Sequence, residues 1–185
     1  MNNEPKNTAY FKLVISGSVN SGKTTFVRTI SEFDPITTDE YATEANVKVL
    51  KGQTTVAMDY GRRTIDDDVI LHIYATPGQE RFNFMWDVLV EGAFGVIFLA
   101  DSTDLDSISN TKKIIKYFSD RFNLPYLLCV TKLDVPTSID YKEVLKLIDK
   151  QDLFAIPCNT TQKEDVRTAL IALLSLAIDK AAAQS

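Results

Sequence analysis

Short, mainly apolar runs alternate along this chain with segments whose apolar residues return every three or four positions. The runs are Phe11–Ser16, Val69–Tyr74, Gly95–Asp101, Tyr126–Thr131 and Phe154–Pro157. Such a run bounded by turn residues predicts a strand, and the continuous Gly95–Asp101 predicts one covered on both faces, as in a parallel sheet. Helical spacing predicts helices over 24–31, from the polar loop 75–81 through about Glu91, over 107–122 and 140–149, and from about Glu164 to Ala182. In the last of these, Leu170, Leu173, Leu174, Ala177 and Ile178 share a spacing that reads as core contact. Val47–Leu50 reads as a weak strand and Thr55–Tyr60 as a clearer one. Asp66-Asp67-Asp68 then marks the turn of a hairpin into Val69–Tyr74. Strands alternating with helices give an α/β class: a mainly parallel six-stranded sheet, one antiparallel edge strand, and helices on both faces.

Length and charge narrow this further. The 185 residues suit one domain, expected at 10–182 behind a loose tail at 1–9. The polar stretch 32–54 is too long for an idle connection in a compact domain. The net charge of −5 and the absence of any basic cluster beyond Arg62-Arg63 and Lys112-Lys113 argue against a nucleic-acid face. No apolar run approaches the ~20 residues that span a bilayer, and neither end carries a lipidation signal. Cys129 and Cys158 lie in or beside apolar runs and read as reduced thiols of a cytoplasmic protein.

The richest chemistry lies where the first strand ends. Gly17-Ser18-Val19-Asn20-Ser21-Gly22-Lys23-Thr24 has the form G-x-x-x-x-G-K-[ST], between an apolar strand and a helix. Gly17 and Gly22 let the backbone wrap a polyphosphate with successive N–H groups directed at its oxygens. The following helix adds its unpaired N–H groups, those of Thr24 and Thr25 included. Lys23 is expected at the β- and γ-phosphates, and the Thr24 hydroxyl on Mg²⁺.

Three more stretches follow in order: Thr55, Thr76-Pro77-Gly78-Gln79-Glu80, and Thr131-Lys132-Leu133-Asp134. With the glycine loop, they resemble the Ras-like small GTPase family over residues 11–180, and the Pro in T-P-G-Q is similar to the prokaryotic MglA-like subgroup. The resemblance implies the P-loop small G-protein fold, GTP/GDP and Mg²⁺ as ligands, and a regulatory partner of the Roadblock/LC7 type. It further implies that Thr55 completes the Mg²⁺ shell and that the Gly78 N–H bonds the γ-phosphate. Gln79 would orient the attacking water, making Gln79, Lys23 and Gly78 the catalytic set. Residues 37–55 and 76–86 would be the segments a partner reads. Asp134 would accept two hydrogen bonds from guanine, a donor pair adenine lacks. Lys132 would lie along the base, and in Cys158-Asn159-Thr160-Thr161 the Thr160 N–H would meet the guanine oxygen.

Four departures from that pattern matter. Ala75 stands where the family has an aspartate supporting Mg²⁺, with Asp59 and Asp101 as candidate replacements. Val19 fills a position that is usually small, where a side chain can obstruct an arginine finger worth roughly 10³–10⁵ in rate. Thr54 stands where characterised MglA proteins carry an arginine; Arg62, Arg63 and Arg81 are candidate substitutes. Thr131 replaces an asparagine whose side chain tethers the loop. The expected function is a slowly hydrolysing GTP switch. Its rivals are a nucleotide-locked interaction module and a P-loop kinase, the latter disfavoured by T-K-x-D. His72 reads as a packed strand residue. Phe82, Phe84, Met85 and Trp86 read as an exposed apolar patch for a partner.

Overall fold

The computed structural model describes residues 8–37 and 58–184. The expected strand Val47–Leu50 and the first half of Thr55–Tyr60, Thr55 included, lie outside the described residues.

Its strands are β1 (Ala9–Gly17), β2 (Ile36–Thr37), β3 (Asp59–Asp66), β4 (Val69–Ala75), β5 (Gly95–Asp101), β6 (Tyr126–Thr131) and β7 (Phe154–Pro157). They form one sheet in the order β2-β3-β4-β1-β5-β6-β7. β1 lies parallel between β4 and β5, and β6 and β7 continue the parallel set. β3 runs antiparallel to both of its neighbours. The mainly parallel α/β sheet expected from the sequence is therefore present, with seven strands where six were counted. The extra strand, β2, joins the sheet only through Ile36 opposite Tyr60 and Thr37 opposite Asp59. Two residues are too few to show any periodicity. Ala9, assigned to the tail, already pairs with Val69.

The helices are α1 (Lys23–Ile30), α2 (Asn83–Val90), α3 (Leu105–Arg121), α4 (Tyr141–Ile148) and α5 (Lys163–Ala182), with a 3₁₀ turn at Glu80–Phe82. α1 and α5 cover one face, where Leu13, Ile15, Phe26, Ile73, Ile97 and Leu173 pack together. α2, α3 and α4 cover the other, around Val14, Trp86, Phe98, Ile115, Phe118 and Val144. Successive residues of β1 thus enter opposite cores, which is why its sequence does not alternate. Each large side chain buried this way stabilises the fold by roughly 1.5–3 kcal/mol. Local chemistry fixes the helix starts. Asp104 accepts from the N–H groups of Asp106 and Ser107 to open α3, and Asp140 accepts from Lys142 to open α4.

Two apolar expectations are corrected. Leu174 and Ile178 are 49% and 61% exposed; only the Val166, Ala169 and Leu173 side of α5 is fully buried. The spacing was helical, but these two residues lie on the outward side. Trp86, conversely, is only 1% exposed, and Phe82 is buried as well. Trp86 stacks near Phe118 with ring centroids 5.8 Å apart and donates its indole N–H to Pro77 O at 2.9 Å. The expected patch on 82–86 therefore does not exist as a unit. His72 is a packed strand residue, its Nδ1 2.7 Å from the Tyr60 hydroxyl.

Candidate functional site

The C-terminal ends of β1, β5 and β6 point to one edge of the sheet, where loops gather beyond parallel strands. At the end of β1 the chain turns through Gly17 with φ +146°, and a Cβ there would stand 2.4 Å from Leu99 O on β5. Only glycine fits that approach. Asn20 at φ 62° and Gly22 at φ 101° then curl the loop into α1. No side chain caps α1, so its first N–H groups are left to a ligand.

Lys23 reaches back under this loop and donates to Gly17 O at 3.0 Å and Ser18 O at 2.5 Å. Burial pushes its pKa down to about 8, against the opposing pull of the Asp59 carboxylate. A buried ammonium whose hydrogen bonds among the described residues go to carbonyl oxygens favours an anion beside it. Thr24 Oγ1 donates to Asp59 Oδ2 at 2.6 Å, and Thr37 Oγ1 donates to Asp59 Oδ1 at 2.9 Å. Asp59 sits directly across the β3–β4 ladder from Ala75. A carboxylate therefore stands beside Thr24, across the ladder from Ala75. Asp101, the other candidate, is engaged elsewhere: it receives Lys132 Nζ at 2.5 Å and the Thr103 hydroxyl at 2.6 Å. Burial raises the Asp101 pKa, but these hydrogen bonds outweigh it and leave the group below its ordinary value.

Gly78 rests on the phosphate loop. A Cβ there would lie 2.6 Å from Val19 N and 2.9 Å from Lys23 Nζ. Thr76, bonded to Ser16 Oγ at 2.8 Å, and the Trp86–Pro77 bond hold the loop from both sides. Ser18 turns away from the cleft; its hydroxyl bonds the Ser107 hydroxyl on α3, and its N–H donates to Thr111 Oγ1 at 3.4 Å. Ser18, Val19, Gly78 and Gln79 line a side hollow of about 460 Å³ against α3.

At the other end, Thr131 Oγ1 lies 3.1 Å from Ser21 O and 3.2 Å from Ala100 O. The shorter threonine still tethers the β6 loop to the phosphate loop. Lys132 takes a left-handed φ of 60°. Asn159 Nδ2 donates to Asp134 Oδ2 at 3.3 Å, while Asn159 Oδ1 accepts from Thr161. Thr29 on α1 donates to Thr160 O at 2.7 Å, anchoring the last loop.

Between these ends runs a cleft of about 590 Å³ from Asn20 and Gly22–Thr25 to Lys132, Asp134, Asn159 and Thr160. Most of the residues singled out from the sequence converge on it. Val135 and Thr161 also line it; Val135 belongs to no motif, and Thr161 enters the sequence reading only as the last residue of Cys158–Thr161, as Thr37 does only as the first of 37–55. Among the described residues no cluster of three or more His, Cys, Asp or Glu side chains forms a metal cage. Mg²⁺ needs none: one or two protein oxygens beside substrate phosphates and water suffice. The Thr24 hydroxyl and Asp59 carboxylate fit that donor set.

Sheet order, glycine-bounded loop and cleft together define a P-loop nucleotide-binding α/β protein of Ras-like architecture. The chain belongs to the family described as "conserved hypothetical ATP binding protein", whose model matches residues 15–184. It is 37% identical to an uncharacterized protein, MJ1339, of Methanocaldococcus jannaschii over 134 residues, 72% of this chain and 76% of that one. ADP-ribosylation factor-like protein 3 of Saccharomyces cerevisiae is 27% identical over 86% of this chain and 82% of its own. Ras-related protein RABD2a of Arabidopsis thaliana is 27% identical over 97% and 86%. The similarity to Ras-like small GTPases therefore runs nearly end to end.

Proposed function

We propose that this chain is a Mg²⁺-dependent GTP-binding switch with slow GTP hydrolysis, of the MglA-like kind. The observation that carries the guanine assignment is the Asp134 carboxylate, held by Asn159 at the far end of a cleft that begins at Lys23. A carboxylate there matches the paired donors of guanine. Facing adenine it would stay unpaired, which costs about 1–3 kcal/mol or more.

The chain's residues divide the work. Lys23 exchanges the Gly17 and Ser18 carbonyls for β- and γ-phosphate oxygens and stabilises charge on the transferring group. Thr24 and Asp59, with Thr55, would hold Mg²⁺, which neutralises phosphate charge when bound. Gln79 orients the attacking water, and the Gly78 N–H meets the γ-phosphate. Residues 37–55 and 76–86 present the surface read by a partner, for which a Roadblock/LC7-type protein is the proposed class. Slow turnover follows from Val19, 49% exposed at the loop's outer edge, and from the lack of an arginine at Thr54.

A second reading, a nucleotide-locked module, draws on the missing aspartate at Ala75, on Val19 and on the absent arginine, and on the close seat of Gly78, where a Cβ would stand 2.6 Å from Val19 N and 2.9 Å from Lys23 Nζ. Calorimetry with GTP, GDP and ATP in the presence of Mg²⁺ tests the base assignment. GTP and GDP should bind and ATP bind far more weakly, and Asp134→Ala should lower guanine affinity by about 10²-fold. Tighter binding of ATP overturns the proposal.

A further inference from the structure

The ion pair of Asp101 and Lys132 links the base end of the cleft to the interior of the sheet. Asp101 closes β5 directly opposite Thr131, the last residue of β6. Its side chain is 5% exposed, whereas that of Lys132 is 37% exposed and lines the cleft. Both carboxylate oxygens are engaged. Oδ1 accepts from the Thr103 N–H at 2.9 Å and the Thr103 hydroxyl at 2.6 Å, and Oδ2 receives Lys132 Nζ at 2.5 Å. Thr103 therefore fixes the acid independently of the lysine. Lys132 also holds a left-handed backbone, φ 60°, which an L residue adopts only at a cost. Burying opposite charges gains little net stability, so the pair points to a role other than stability.

The loop after β6 supplies a reason to restrain that lysine. Lys132 and Asp134 stand two residues apart in one turn, closed by the Val135 N–H donating to Lys132 O at 3.1 Å, and both line the cleft. Among the described residues, the Asp134 carboxylate accepts from Asn159 Nδ2 at 3.3 Å. A free ammonium on the same turn would pair with that exposed carboxylate, and the N–H donors of a purine would have to displace it. Bound to Asp101, the ammonium is neutralised and committed to the interior. What Lys132 then offers the cleft is its methylene stem. The Asp134 oxygens stay open to a pair of N–H donors.

We propose that Asp101 is a positioning residue for base selection, holding Lys132 off Asp134 so that Asp134 can read guanine. This role rests on the guanine reading of Asp134. Asp101 acts through Lys132 rather than on the nucleotide, and Thr103 supports it by fixing the other carboxylate oxygen.

Calorimetry of the full chain with GDP and with ADP, both with Mg²⁺, tests this, because the ratio of the two affinities cancels the phosphate contacts. The unsubstituted chain should prefer GDP. Asp101→Asn keeps the shape, removes the charge and should lower that preference about fivefold, the worth of one exposed ion pair. Adding Lys132→Met, which keeps a stem and removes the ammonium, should return most of the loss. A purely structural defect at the end of β5 would not be repaired in this way. Salt at about 1 M, where charges are screened beyond about 3 Å, should also restore the preference of Asp101→Asn. If Asp101→Asn does not fold, Thr103→Val keeps the carboxylate charged but removes a hydroxyl bond, and should show a smaller loss with the same recovery in salt. An unsubstituted chain with no preference for GDP overturns the guanine reading and this role with it. A preference that survives these substitutions, or a loss that remains after adding Lys132→Met or salt, overturns the role of Asp101 alone.

Discussion

The two ends of the cleft are built on different principles. At the phosphate end, groups from adjacent strands and one short loop interlock over a few ångströms. Lys23 is 9% exposed, and Asp59 gathers the hydroxyls of Thr24 and Thr37. At the base end, Asp134 and Asn159 meet at the surface across 25 residues of sequence, 3.3 Å apart. Their loops are held by distant anchors, Thr131 to Ser21 and Thr29 to Thr160. One end is preformed by burial; the other is positioned by tethers. Charge placed in the first should matter most to affinity, and geometry in the second to selectivity.

The largest break is expected from Lys23→Ala. Hydrogen bonds to charged groups contribute about 1.5–3 kcal/mol each, so losing contacts to two phosphates should cost about 10²–10⁴-fold in GTP affinity by calorimetry. Asp59→Asn comes next: the Mg²⁺ concentration needed to retain a fluorescent GDP should rise about tenfold. Unchanged Mg²⁺ dependence would remove Asp59 from that role.

The pH profile sharpens the same end. Phosphate binding needs the charged form of Lys23, whose free pKa is about 8. Affinity should be level below pH 8 and fall by up to about tenfold per pH unit above it, because binding then takes up a proton. A profile flat to pH 10 would separate the lysine from the phosphates. The smallest effect belongs to the base end. Thr131→Val deletes one tether, worth about 1 kcal/mol, so guanine affinity should drop about fivefold and GTP-over-ATP selectivity with it. Equal loss for both nucleotides would mean that the tether supports the phosphate loop alone.

Much of this protein was legible in one dimension because its signals are local. The run Gly95–Asp101 is buried along its whole length and spans the strand's full extent. Tyr126–Thr131 and Phe154–Pro157 likewise match their strands. A backbone loop that bends at Gly17 and Gly22 must be written in glycine, so the phosphate loop was readable as well. The side of a helix that faces the core was harder. Leu173 and Leu174 are neighbours of the same residue type, yet one is sealed beneath β5 and the other faces water.

The sequence alone therefore determined the α/β alternation and the position of the phosphate loop, since each depends on residues adjacent in the chain. Only the tertiary structure decided that Asp59 stands opposite Ala75 and bonds Thr24, that Asp101 is taken by Lys132, and that Trp86 is interior. Those outcomes depend on strand register and helix rotation. A shift of one residue in a strand, or of about 100° around a helix, moves a side chain from one environment to the opposite one.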